Sequence, residues 1–125
     1  MSNKRYVSVI YCDDVRAEIG NKLSYMGIYQ NELLISKLPS TLLKLCIVIT
    51  VFTPKDEPFK ELEFKVFRDD DVLAIKKMDD EINNNMSTAV LTIAPFAIEK
   101  PCKLKVRVKT ESDELIGLPL TIKQV

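Results

Sequence analysis

Histidine is absent from this 125-residue chain, and so is tryptophan. Without an imidazole no side chain has an ordinary pKa near neutrality, and the Ser–His and Cys–His devices of nucleophilic catalysis are excluded along with the commonest zinc ligand. Glycine occurs only three times, isolated at Gly20, Gly27 and Gly117, so no glycine-rich loop can cradle a phosphate. Net charge is also missing. Eighteen Lys and Arg balance 18 Asp and Glu, leaving no overall field to draw the chain to nucleic acid or anionic lipid. No apolar run approaches the ~20 residues of a membrane helix, and the early run Tyr6 to Cys12 lacks the apolar heart and cleavage site of a secretory signal. A soluble, cytoplasmic protein is expected. The three cysteines, Cys12, Cys46 and Cys102, include no CxxC pair and so form no metal knuckle or dithiol motif.

What is present reads as one folding unit. Hydrophobic residues make up 46% and charged residues 29% of the chain, which excludes a disordered tail, a collagen-like fibre and a coiled-coil rod. From Tyr6 onward, short runs rich in Val, Ile, Leu, Phe and Thr are each closed by Gly, Pro, Asn or Asp. The period is two. Glu61 to Val66 and Lys103 to Lys109 alternate charged and apolar residues strictly, which sends one set to a core and the other to water. Leu42 to Phe52 is nearly all apolar and β-branched, as expected of a central strand covered on both sides. Further strands are expected over Tyr6 to Cys12, Lys22 to Tyr29, Glu32 to Ser36, Phe59 to Arg68, Val72 to Met78, Met86 to Ala94 and Leu115 to Lys123. Gly20-Asn21 should turn a tight hairpin with glycine at its first position. A helical turn fits only at Val15 to Glu18 and Pro95 to Ile98. Connections this short force antiparallel pairing. The expected fold is therefore an all-β, antiparallel two-layer β-sandwich of about seven to nine strands, immunoglobulin-like or a related Greek key. It spans residues 1–125 as a single domain, with an N-terminal hairpin region at 1–41 and a core sandwich at 42–125.

Four groups of residues invite a chemical reading. Tracing the meander gathers three loops at one end, carrying Asp56 and Glu57, then Asp79, Asp80 and Glu81, then Glu111, Asp113 and Glu114. Oxygen-rich loops suit a hard cation such as Ca²⁺, with Asp56, Asp79, Asp80 and Asp113 as candidate ligands. Against this, such residues are what turns select, and lysines nearby offset the charge. The row Lys103, Lys105, Arg107 and Lys109 could track a phosphate backbone, but no aromatic is interleaved, and Glu61 and Glu63 on the neighbouring strand are expected to pair with it. Asp13 and Asp14 are adjacent and so point to opposite faces of a strand. They are expected to cap a turn, with Arg16 holding one carboxylate, rather than to form an acid pair with Cys12 as nucleophile. Cys46 and Cys102 fall where immunoglobulin domains place a bridge, but the packing Trp is missing and free, buried thiols are expected. Finally Tyr6, Tyr11, Tyr25 and Tyr29 all lie in the first 29 residues. Tyrosine offers rigid amphipathic contact area, so these four either form a partner surface or pack into the sandwich, and an edge strand here could pair with a second copy.

The stretch Tyr11-Cys12-Asp13-Asp14-Val15-Arg16, followed by Gly20-Asn21-Lys22-Leu23-Ser24, Met26-Gly27-Ile28-Tyr29 and Leu38-Pro39-Ser40-Thr41-Leu42-Leu43-Lys44-Leu45, resembles the opening of a family of small bacterial proteins known only as a domain of unknown function. The resemblance implies a bacterial, soluble, β-rich protein and brings no activity, substrate or catalytic residue. The functional expectation is a non-enzymatic protein-interaction or structural module, meeting an unknown partner or a second copy and needing no cofactor, nucleic acid or membrane. The alternatives are a binder of a divalent cation or small ligand at the acidic tip and, third, an enzyme of unknown class.

Overall fold

In a computed structural model, which describes residues 4–78 and 85–125, every regular element is a β-strand. In chain order these are β1 (Tyr6–Glu18), β2 (Lys22–Tyr29), β3 (Glu32–Ile35), β4 (Ser40–Leu42), β5 (Leu45–Phe52), β6 (Leu62–Arg68), β7 (Asp71–Met78), β8 (Met86–Ile93), β9 (Phe96–Ile98), β10 (Cys102–Thr110), β11 (Glu114–Ile116) and β12 (Leu120–Gln124). They form a four-stranded sheet in the order β2-β1-β5-β8, a larger sheet in the order β3-β12-β10-β6-β7 with β11 also on β10, and a short β4-β9 ribbon. Pairing is antiparallel throughout except where β3 runs parallel to β12.

The alternation seen in the sequence sets the core. Tyr11, Ile47, Ile49, Val51, Ala89 and Leu91 from the four-stranded sheet meet Phe64, Val66, Leu104, Val106, Val108, Leu120 and Ile122 from the larger one in a single buried cluster. Between the sheets Gly117 lets the chain pass close to β1, since a Cβ there would overlap the Val9 side chain. The Gly117 N–H donates to the Val106 carbonyl at 3.0 Å, fixing that approach.

Local chemistry explains the turns. β1 and β2 join through Ile19, Gly20 and Asn21, with Glu18 opposite Lys22, so the loop has three residues rather than the expected two. Gly20 (φ 92°) and Asn21 (φ 58°) are the residue types that take such angles at least cost. β6 turns into β7 through Asp69 (φ 54°) and Asp70, with Arg68 opposite Asp71.

Several expectations need correction. The described residues hold twelve strands, more than the seven to nine expected, because breaks at Leu43-Lys44 and at Gly117 to Pro119 split two expected strands and β9 is an extra short ribbon partner. Neither helical turn forms: β1 runs on through Val15 to Glu18, and Phe96–Ile98 pairs with β4. Asp13 and Asp14 consequently sit within a long strand rather than a turn, although Asp14 accepts the Val15 N–H at 3.0 Å and is held by Arg16 as expected.

Candidate functional site

The acidic tip is organised by a residue that no motif marked. Arg5, just before β1, is buried, and its guanidinium lies over the Phe59 ring at 4.8 Å from the centroid. Its Nη2 meets Glu111 at 2.6 Å and the Glu57 carbonyl at 3.1 Å. Its Nη1 donates to Thr110 Oγ1 (3.0 Å) and Asp113 Oδ1 (3.3 Å), and its Nε to Thr53 Oγ1 (2.9 Å). The loops after β5 and after β10 are thereby tied together. Asn85 joins them, donating to the Pro54 carbonyl at 2.7 Å and accepting from the Thr53 N–H at 3.0 Å. Burial works against ionising Glu111, but the Lys60 N–H and the Arg5 guanidinium outweigh it and hold the carboxyl down at about 2.

Of the four candidate cation ligands, Asp113 accepts from Arg5 and from the Thr110 hydroxyl. Asp56 is exposed on a shallow cleft beside Arg5, Lys60 and Glu111. Asp79 and Asp80 lie outside the described residues. Among the described residues no group of three or more carboxylates or thiols is placed to hold a metal ion. Glu111 and Asp113 turn toward a guanidinium whose fixed positive charge occupies the place a cation would take.

The Cys12 cluster is likewise consumed by structure. Asp13 accepts the Tyr29 hydroxyl at 2.5 Å, while Asp14 pairs with Lys44 at 2.6 Å and Arg16 at 3.3 Å. The hydrogen bonds from Lys44 and Arg16 hold the Asp14 carboxyl below its usual range. Gly27 (φ 67°) faces Asp13 so closely that a Cβ would overlap the carboxylate. The two carboxylates therefore serve separate partners and form no dyad. Burial, followed by the neighbouring Cys46, pushes the Cys12 thiol up and away from nucleophilic use. Cys12 and Cys46 stand opposite each other on β1 and β5, whereas Cys102 packs against the core from the other sheet. Cys46 faces away from that core, so it cannot reach Cys102, and all three thiols are free.

The tyrosines do not share a surface. Tyr11 is in the core, with its hydroxyl donating to the Leu118 carbonyl at 2.9 Å, because it lies on the same side of β1 as Val7 and Val9, which pack against that core. Tyr29 is half-buried on Asp13, and Tyr25 half-buried against Cys12, Cys46 and Val48. Only Tyr6, among the four, is widely exposed, at 63%. The basic row also departs from expectation. Lys109 lies opposite Glu63, but Arg107 faces Lys65 and Lys105 faces Phe67. Arg107 rests over the Phe67 ring at 5.4 Å, Glu63 meets Lys65 of its own strand at 3.7 Å, and Lys105 meets Asp70 at 3.9 Å. These exposed pairs contribute ~0 to 1 kcal/mol each.

The surface that stands out is the outer face of the β2-β1-β5-β8 sheet, which sequence reasoning did not single out. Register places four rows across it: Tyr6, Phe52 and Met86; then Ser8, Thr50 and Thr88; then Ile10, Val48 and Val90; then Ile28, Cys12, Cys46 and Thr92. None of these side chains carries a charge. The first charged row is the Asp14–Lys44 pair at the far end. Within the face Val48, Cys12 and Cys46 are buried by their lateral neighbours, while Phe52 (40%), Ile28 (52%) and Met86 (58%) stay exposed. The signal that could have found it was the run of uncharged alternate positions in both Cys46 to Phe52 and Met86 to Thr92.

The chain belongs to DUF6941, a family of unknown function, whose model matches residues 7–123. No curated protein matches the chain. Family membership therefore carries no activity to the sites just described.

Proposed function

We propose that the chain is a non-enzymatic interaction module, an immunoglobulin-like β-sandwich that meets another protein through the outer face of the β2-β1-β5-β8 sheet. The strand orders support the scaffold. The series β1-β5-β8 opposite β7-β6-β10-β12 follows the A-B-E and C′-C-F-G strands of an immunoglobulin domain. Partnered carboxylates and a buried thiol in the Cys12 cluster favour a structural role for it over a reactive one.

One observation carries the contact reading: four successive rows of a solvent-facing sheet without an ionised side chain, ending in exposed Tyr6, Phe52 and Met86. With strands ~4.8 Å apart and same-face residues ~6.7 Å apart along them, the face covers roughly 400 Å². Its exposed apolar side chains stand at the two ends, Tyr6, Phe52 and Met86 at one and Ile28 at the other, with the Ser8, Thr50 and Thr88 hydroxyls between them. The partner surface it fits is apolar and uncharged, because a charged surface docked here would lose its hydration without gaining a counter-charge.

The test is comparative. Proteins retained from source lysate by wild-type chain are identified, purified and titrated against wild type, Phe52→Glu and Lys105→Glu. Phe52→Glu should weaken binding at least tenfold and Lys105→Glu should leave it unchanged; the reverse pattern would move the contact to the other sheet and end this reading.

A further inference from the structure

The four-stranded sheet ends on one side at β8, and that edge differs from the others described. β8 pairs with β5 without interruption from Leu45 opposite Ile93 to Phe52 opposite Met86, which leaves a row of N–H and C=O groups directed away from the sheet. Sheet edges are usually blunted by charge, proline, a bulge or shortness. β2 carries Lys22 and the left-handed Gly27, β7 carries Asp71, Lys76 and Lys77 beside a register shift, and β3 has four residues including Glu32. β8, Met-Ser-Thr-Ala-Val-Leu-Thr-Ile, has none of these protections. The Ser87 hydroxyl donates to Met78 Sδ at 3.6 Å at the start of the strand, and among the described residues no strand pairs with the outer edge of Thr88 to Ile93.

We propose that β8 pairs antiparallel with β8 of a second copy of this chain, joining two four-stranded sheets across a two-fold axis. This pairing names a partner for the same sheet and rests on the interaction reading above. Charge selects the occupant. Across a two-fold each residue meets another from the same strand, so any charge on β8 would face its like, and β8 has none. Its Thr, Val and Ile side chains are the types that stabilise cross-strand contacts, and the neutral chain offers no long-range repulsion between copies. A foreign strand carrying charges would find no counter-charge along this edge. Joining the edges also sets two uncharged faces side by side, doubling the area open to a further partner.

The experiment combines sedimentation of the full chain from micromolar to near-millimolar concentration with residue-resolved amide exchange at both extremes. The wild type should dimerise as concentration rises, and the Thr88–Ile93 amides that do not bond β5 should slow at least tenfold in the concentrated sample. Val90→Lys and, as a more exposed second variant that tolerates the charge, Thr92→Lys should each weaken dimerisation at least tenfold, while Ile28→Lys on the opposite edge should not. A chain that remains monomeric, or a dimer whose β8 amides exchange alike at both concentrations, overturns the pairing. So does protection of β8 that arises only when another protein is added. If such a monomer still loses its partner on Phe52→Glu, the contact face stands without the pairing; a β8 dimer whose partner binding ignores Phe52→Glu keeps the pairing without the face.

Discussion

The two sheets present opposite outer surfaces. On β10 and β6 the outward positions are Lys103, Lys105, Arg107, Lys109, Glu63, Lys65 and Phe67, whereas on β5, β8 and the Tyr6–Cys12 stretch of β1 they are Ser, Thr, Ile, Val, Cys, Tyr, Phe and Met. Both sheets obey the same period of two and send their other residues into one core. The difference teaches that alternation fixes which side is inside but not what the outside meets. Where the outward residues are long and charged they stay hydrated and add little to stability. Where they are short, β-branched and uncharged they bury one another sideways, as Cys12, Cys46 and Val48 do, and leave an apolar surface.

Changes in charge test that contrast where water is excluded and where it is not. The largest effect is expected away from both faces, at the tip. Arg5→Met removes a buried cation facing Glu111, Asp113, Thr53 and Thr110, and should cost about 3–5 kcal/mol by urea denaturation. A loss below 1 kcal/mol would mean the tip is held without it. Next, Val48→Asp puts a carboxylate into the uncharged face at a buried position, and a loss of about 2–4 kcal/mol is expected. A neutral outcome would make the two outer faces energetically alike and break the contrast.

A smaller effect depends on pH. Glu111 has its folded pKa held near 2, below its ordinary 4.5, so its contribution is complete above about pH 4.5 and disappears as pH falls toward 2. The stability difference between wild type and Glu111→Gln should be constant above that window and shrink within it; a difference that grows on acidification contradicts the Arg5 pairing. Smallest of all, Lys103→Ser on the charged face should change stability by no more than about 0.5 kcal/mol. A larger loss there would show that the basic row is more than a solvated surface.

Much of this was legible from local pattern. Lys22–Tyr29 could be bounded because Asn21 and Gly20 precede it and Gln30-Asn31 follow, and the alternations around Phe64 and Val106 assigned the core face of two strands. What escaped depended on distant partners. Arg5 carries no local signal, since its carboxylates lie more than a hundred residues along the chain. The break at Leu43-Lys44 divides β4, which pairs with β9, from β5, which pairs with β1 and β8, and only those partners mark the boundary. Tyr6 and Tyr11 look alike in sequence, yet their parity on β1 sends one to water and the other under Leu118.

The sequence by itself determined that this is an all-β chain, because a period of two along short runs buries one side of a strand whatever the strand pairs with. It also determined that no imidazole chemistry is available. Tertiary structure alone decided the strand order, the Arg5 clamp and the uncharged face spread over three strands and the tip of a fourth. Each of these is a relation among side chains far apart along the chain, created only when register brings their strands together.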